Sequence, residues 1–498
     1  MSDQTKGSSA LVKTGVTGFD RVIGGGFTPH RLYLLEGAPG SGKTTLALQF
    51  LQEGARLGES VLYVTLSETE SELRGVAESH GWNLDGIAIR ELAPTEGALT
   101  PEDHYTMFHP SEVELGETTK TILDEVERLK PKRVVFDSLS ELRLLAGSAL
   151  RYRRQILALK VFFSGRNCTV LLLDDMTSTA HDLQVQSIAH GAIRLEQLSP
   201  EYGSERRRMM VLKYRGMSFR GGYHDYLIRR GGLEVFPRLV ASESQVLRSK
   251  KGRIKSGIPE LDTLMGGGLD RGTSTLVVGA PGTGKSSLAT FFAKSAADGG
   301  EKAALFIFDE SATTLRNRAA GLGLNIDKQV EAGSITIQAI DPAELSPGEL
   351  AHAIKRAVEN GATVVVIDSL NGYLNAMPEE RFLIIQLHEL LSYLGNCGVA
   401  TILIGAHQGL IGTQMNSPVD ASYLADAIVL MRYFESRGEV RQAISVLKKR
   451  GGAHERSIRE IKLESTGISV GPPLREFRGI LTGVPTHEVS PQEGSGGR

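Results

Sequence analysis

GAPGSGKTT at Gly37–Thr45 decides the fold, and it occurs twice, the second time as GAPGTGKSS at Gly279–Ser287. Both satisfy G-x-x-x-x-G-K-[ST], and each lies between a short apolar run and an amphipathic stretch, the strand-to-helix context that gives this pattern its meaning. Glycines let successive backbone N–H groups curl around phosphate oxygens, and the following helix adds partial positive charge at its N-terminus. Gly37, Pro39, Gly40, Ser41, Gly42, Lys43, Thr44 and Thr45 therefore read as one ATP-binding loop. Gly279, Pro281, Gly282, Thr283, Gly284, Lys285, Ser286 and Ser287 read as another. In such loops the lysine, here Lys43 or Lys285, reaches the β and γ phosphates, and the hydroxyl of Thr44 or Ser286 serves Mg²⁺.

The repetition extends beyond the loops. TGVTGFDRVIGGG at Thr14–Gly26 returns as SGIPELDTLMGGG at Ser256–Gly268, at the offset of the loops (279 − 37 = 242). Glu68 and Glu310 keep that offset, while Asp137 and Asp368 stand closer (368 − 137 = 231), so the first copy carries about eleven extra residues within Glu91–Glu114. LKYRG at Leu212–Gly216 answers LKKRG at Leu447–Gly451. Two homologous domains follow, residues 14–240 and 253–485, with a polar N-terminal tail over 1–13, a basic linker over 241–252 and a disordered tail over 486–498.

Each half alternates buried-strand patterns with amphipathic helices. In the first, Leu32–Leu35, Val61–Leu66, Arg133–Phe136 and Thr169–Leu173 read as strands, and Thr44–Gly54, Thr118–Leu129 and Tyr152–Phe163 as helices. Continuous apolar runs such as ATVVVI before Asp368 suit strands covered on both faces. The expectation is α/β: two tandem RecA-like P-loop domains, each a mostly parallel sheet flanked by helices.

Composition narrows the function. The 498 residues are 41% hydrophobic and 23% charged, an ordinary globular mix of more than one domain. Lys plus Arg number 56 against 58 Asp plus Glu, net −2, so no global basic field gathers nucleic acid or an anionic membrane. No apolar stretch is long enough to span a bilayer. Two cysteines, Cys168 and Cys397, are too few for a disulfide framework and read as buried thiols of a cytoplasmic protein.

Carboxylates complete the chemistry. Asp137 and Asp368 each end an apolar strand before Ser-Leu, where a carboxylate faces a metal at the carboxyl edge of the sheet; the same Asp-Ser also reads as a helix cap. Glu68 follows VLYVTL, and Asp309–Glu310 follow ALFIF, the place for an acid that polarises attacking water or hydroxyl. Lys213, Arg215, Lys448 and Arg450 come late in each domain, and could act in trans on a neighbouring subunit's γ-phosphate.

With these residues assembled, the chain resembles the KaiC family of clock ATPases and autokinases over about Thr14 to Pro485. RGGAHERSIRE at Arg450–Glu460 and REFRGILTGVP at Arg475–Pro485 add to the match. The resemblance implies a homohexameric double ring, ATP between subunits, a slow ATPase in the first tier and phosphorylation of a neighbour's hydroxyls by the second. It also implies KaiA-like or KaiB-like partners, or other signalling partners outside any clock. Members usually carry two adjacent glutamates in each half; here Ser67–Glu68 keeps one, and Asp309–Glu310 has a shorter first arm. The family's Ser-Thr acceptor pair falls on Ser422–Tyr423. Ser422 can take the phosphoryl group, whereas the ring of Tyr423 sets its hydroxyl further out, which argues against it. A RecA-type DNA-binding ATPase is the alternative of another class, disfavoured by the near-neutral charge.

Overall fold

The computed structural model describes residues 10–92, 110–176, 183–200, 203–243, 252–375, 382–406, 423–480 and 486–487. The chain divides after Arg238 into two compact units, each built on a nine-stranded sheet. In the first, the strands lie in the order Ile87–Glu91, Val61–Thr65, Arg133–Asp137, Thr169–Asp174, Leu32–Gly37, Gly191–Leu198, Arg206–Tyr214, His224–Arg229, Gly232–Phe236. The first six are parallel and the last three antiparallel. The second repeats the plan, from Ile335–Ala339 through the central Ser274–Gly279 to Gly467–Pro473. These are the expected α/β domains; the antiparallel extension is the part the sequence pattern did not announce.

The centre of each sheet leads into a phosphate loop. Every residue of Leu32–Gly37 is buried. Leu32 and Leu34 join one core with Leu62, Val134 and Leu172. Tyr33 and Leu35 join another with Tyr63, Val135 and Leu171. Alternate side chains of one strand thus anchor both faces, which the period of two requires. The helix Lys43–Arg56 buries Leu46, Phe50 and Leu51 on the second of these faces.

The repeated opening stretch is a local clasp. Asp20 Oδ1 accepts from the N–H and hydroxyl of Thr14 at 3.1 and 2.8 Å, and Asp262 does the same for Ser256 at 2.8 and 2.9 Å.

Two boundary expectations and one of burial need correction. Ala241–Glu243, read as the start of a linker, form a 3-10 turn docked on the helix Leu383–Asn396. There the Ala241 N–H donates to Glu389 and its carbonyl accepts from Asn396. In the tail read as disordered, Thr486–His487 pair antiparallel with Phe477–Arg478, so backbone pairing reaches past Pro485. Cys168 is buried as expected, but Cys397 at the end of its helix is only half-buried; both are free thiols.

Arg133 is the largest fully buried side chain of the first unit. Its guanidinium pairs with Glu59, donates to the carbonyls of Lys13 and Phe50, and lies 4.9 Å above the Phe50 ring. Truncation strands these acceptors and leaves a void. Arg133→Ala should therefore cost the first unit about 3 kcal/mol in urea unfolding, while Arg128→Ala, on an exposed helix pair, should leave the midpoint unchanged.

Candidate active site

The loop Gly37–Thr45 closes the carboxyl end of the central strand. Gly40 and Gly42 take φ of 81° and 92°, the left-handed region. A Cβ on Gly42 would sit 2.5 Å from Ile228 Cδ1, and one on Gly284, at φ 93°, 2.6 Å from Leu463 Cδ2. The left-handed backbone at these positions favours glycine, and the tips of the two side chains close over it. The Ser41 hydroxyl in this cradle is buried without a partner. Lys43, 6% exposed, donates to the carbonyls of Gly37 and Ala38 at 2.9 and 3.0 Å; Lys285 donates to those of Gly279 and Ala280, both at 2.8 Å.

Asp137 and Asp368 end the strands Arg133–Asp137 and Ala362–Asp368, as the sequence suggests. Thr44 hydrogen-bonds Asp137, and Ser286 hydrogen-bonds Asp368. Each loop hydroxyl and its strand-end carboxylate therefore meet as a pair of hard oxygens, the donor chemistry that suits Mg²⁺ beside phosphate. Burial raises both aspartate pKa values above the ordinary range. In the first unit the Tyr63 hydroxyl donates to Asp137 at 2.5 Å and fixes its rotamer. The helix-cap reading of Asp-Ser holds in the second unit, where Ser369 Oγ accepts from the Gly372 N–H at 3.0 Å at the start of Leu370–Asn375, and fails in the first. The helix Leu139–Ala146 has Ser138 at its N-cap with no side-chain cap bond, which leaves the Asp137 carboxylate for the loop.

The candidate catalytic acids are set just outside a helix start. Thr69 caps Glu70–Ser79 in a reciprocal box with Glu72, and Thr65 Oγ1 bonds both the N–H and the carbonyl of Glu68. Glu68 is thereby turned towards Lys43 and Asp137, and its buried Oε2 has no partner. Burial first, then the charges of Asp137, Glu72 and Asp175, push its pKa up to about 7. Ser311 caps Ala312–Gly321 by accepting from the Thr314 N–H, without the reciprocal bond, and Glu310 stands just before it. Here the two domains part. Arg318 Nη1 lies 2.8 Å from one oxygen of Glu310 and 2.9 Å from the other. The position of Arg318 in the first unit is Val76 (318 − 242 = 76). Burial raises the Glu310 pKa and Arg318 opposes the rise. Asp309 does not stand beside Glu310 as a second free base. It accepts a hydrogen bond from Ser369 at 2.5 Å, while Ser138, opposite Ser67 in the first unit, has a buried hydroxyl without a partner.

Lys213, Arg215, Lys448 and Arg450 lie at the other end of the sheet. Lys213 is opposite Ala192, and Tyr214 opposite Gly191, at the amino end of a strand whose start pairs with Tyr33. The loop is at the carboxyl end, Gly37, so these cations do not share a site with their own domain's loop. Lys213 donates to the carbonyls of Gln186, Ser187 and Ala189, and Arg215 to that of Ser187. Arg215 and His190 line a cavity of about 190 Å³ with His30, Arg31 and Lys160. Burial first, then the charges of Arg31, Arg215 and Lys213, lower the pKa of His190. Lys448 donates to the Ala425 carbonyl; Arg450 donates to that of Tyr423 and lies 3.5 Å from Asp426. Ser422 lies outside the described residues; Tyr423 beside it is 55% exposed.

Sequence reasoning missed Asp175, Arg318 and His190. Each gains its place from a strand or helix neighbour that a linear motif does not record.

Among the described residues no helix is long and apolar enough to cross a membrane, and no group of three His, Cys, Asp or Glu side chains forms a metal site. A family model for the KaiC ATPase matches residues 12–240 and again 254–475. The chain is 27% identical to a circadian clock protein KaiC3 of Synechocystis, over 98% of this chain and 97% of that one. It is 28% identical to a circadian clock oscillator protein KaiC of Parathermosynechococcus lividus, over 95% and 88%. A third relative, the KaiC oscillator protein of Thermostichus vulcanus, is 27% identical over 97% and 94%. Since that family's model fits both halves, and each half builds the same glycine cradle around a buried lysine, the chain belongs to the KaiC ATPases and is a P-loop enzyme that binds and hydrolyses ATP.

Proposed function

We propose that the chain works as a homohexameric, Mg²⁺-dependent ATPase of the cytoplasm whose second domain also phosphorylates Ser422 of a neighbouring subunit. The observation that carries this reading is the separation within each domain. The phosphate loop stands at one end of the sheet, and the cations Lys213 and Arg215, or Lys448 and Arg450, at the other. Six residues of strand span about 20 Å, too far for one domain to bring both to a single phosphate. A ring in which each subunit's cations meet the next subunit's loop completes every site. Tyr423, the residue after Ser422 in the sequence, belongs to the cation end, which favours transfer to a neighbour.

Within a site, Thr44 and Asp137, or Ser286 and Asp368, would hold Mg²⁺, which neutralises phosphate charge. Lys43 or Lys285 orients the β and γ phosphates. Glu68, with an unpartnered oxygen, accepts the proton of the attacking water. Glu310 does the same for the Ser422 hydroxyl, held in place by Arg318. Because Glu68 is unencumbered and Glu310 is clamped, the first domain is the main hydrolase. KaiA-like and KaiB-like proteins are the proposed partners if the relatives' clock role extends to this chain; signalling partners outside a clock are the alternative.

Assembly should follow nucleotide: light scattering is expected to shift to a hexamer with Mg-ATP. Arg215→Ala and Arg450→Ala should lower turnover far more than nucleotide binding. A strict monomer at saturating ATP would overturn the shared-site reading.

Glu68 must be ionised to act as a base. In a Lys285→Ala variant, where only the first site works, hydrolysis should rise as pH passes about 7, and Glu68→Gln should remove that limb. The linked stability runs the other way. A folded pKa above the ordinary 4.5 means that the folded state holds the proton more tightly. That contribution is complete below the unfolded pKa and is lost as pH rises through about 7. At pH 8 Glu68→Gln should therefore unfold at higher urea than the parent, a difference that vanishes near pH 4.

Phosphopeptide mapping after incubation with Mg-ATP should find phosphate on Ser422, absent in Ser422→Ala and in Glu310→Gln. An intact hexamer without it would leave the plain ATPase.

A further inference from the structure

Lys43 has a third partner that Lys285 lacks among the described residues. Asp175 Oδ1 lies 2.8 Å from its ammonium. Asp175 follows the strand Thr169–Asp174, which runs beside the central strand, so its backbone is delivered to the edge of the phosphate loop. The carboxylate is held from the other side as well: Ser140 Oγ lies 3.3 Å from Oδ2 and accepts from the Asp175 N–H at 3.2 Å. Directly after it Met176 adopts φ 53°, left-handed backbone that a methionine takes only when its surroundings impose it. A loosely placed surface acid has none of these restraints.

The second domain keeps the restraint and omits the charge. The equivalent position is Ala406 (406 − 231 = 175), here the last residue of the strand Ala400–Ala406 and paired with Gly279. Asn371, at the position of Ser140, accepts from the Ala406 N–H at 2.8 Å and donates to its carbonyl at 3.1 Å. Among the described residues Lys285 pairs with no carboxylate and donates only to loop carbonyls. The two sites therefore share a scaffold and differ by one anion placed on the lysine that grips phosphate.

We propose that Asp175 is a resident competitor for the terminal phosphate at the first site, which sets that site's affinity for nucleoside triphosphate below that of the second. The proposal rests on the reading that both loops bind ATP. A phosphate reaching Lys43 must share or displace the carboxylate, and it also meets the repulsion of Asp175, Asp137 and Glu68 together. Asp175 is charged and fixed close by, so its effect falls chiefly on the terminal phosphate, and a diphosphate is handicapped less. The cost also grows when Mg²⁺ is withheld, since the cation screens these carboxylates from phosphate.

The test is equilibrium binding of a non-hydrolysable ATP analogue and of ADP to the full chain, with one site silenced at a time. In a Lys285→Ala background, Asp175→Asn should tighten the triphosphate analogue about tenfold at the first site, tighten ADP clearly less, and weaken the dependence on Mg²⁺. In a Lys43→Ala background, the reciprocal Ala406→Asp should weaken the second site by a similar factor; it keeps the test open if Asp175→Asn folds poorly. Unchanged or weaker triphosphate binding in Asp175→Asn overturns the proposal, as does equal tightening of ADP. The underlying reading is judged separately by the parent. If first-site binding does not depend on Lys43, the loop assignment and the proposal both fall. If it depends on Lys43 but not on Asp175, the proposal alone falls.

Discussion

A lysine ammonium kept almost wholly from water must be given oxygen acceptors, and much of each domain is arranged to supply them. Lys43 and Lys285 are 6% and 7% exposed. Their acceptors are carbonyls of the loop immediately before them, which turn inward only because glycines carry the chain through left-handed conformations. That loop needs a rigid strand behind it and a helix ahead of it, and the strand needs parallel neighbours on both sides. The covered sheet, the two cores and the strand-end carboxylates follow from holding one buried cation where a phosphate can reach it.

Duplication kept this scaffold and changed the charges around it. The first domain has Asp175 on its lysine, Tyr63 on Asp137 and an unpartnered Glu68. The second has Ala406, Leu305 and Val364 at the positions of Asp175, Tyr63 and Arg133, and adds Arg318 on Glu310 and Asp309 on Ser369. Apolar positions tolerate such exchange because a buried ion pair and a well-packed hydrocarbon can be close in stability. The sites differ in electrostatics while the backbone stays nearly the same.

The parts legible in the sequence are those encoded by near neighbours. The phosphate loops, the strands before them and the helices after them are local patterns, and the strand read as Arg133–Phe136 ends one residue later at Asp137. The acids Glu68 and Asp309–Glu310 were legible too, because each follows an apolar strand run, VLYVTL or ALFIF. Illegible parts depend on strand order and side-chain reach. RRRMMVLKY at Arg206–Tyr214 is too polar to announce a strand, yet it pairs with Gly191–Leu198 along its full length. Asp175 looks like the end of an apolar run, and it meets Lys43 only because its strand lies next to the central one. Arg318 looks like a solvated helix charge, and it finds Glu310 across two turns because that acid precedes the helix.

The side chains that exclude a Cβ from the loops come from the antiparallel extension: Ile228 over Gly42 and Leu463 over Gly284. The Tyr226 hydroxyl also donates to the Ser41 carbonyl at 2.6 Å, from the strand that pairs with Arg206–Tyr214. The extension is thus a strut with one end wedged against the loop and the other carrying Lys213. Close-packed interiors yield little, so the loop at one rim and the strand that carries Lys213 to the other are parts of one stiff body.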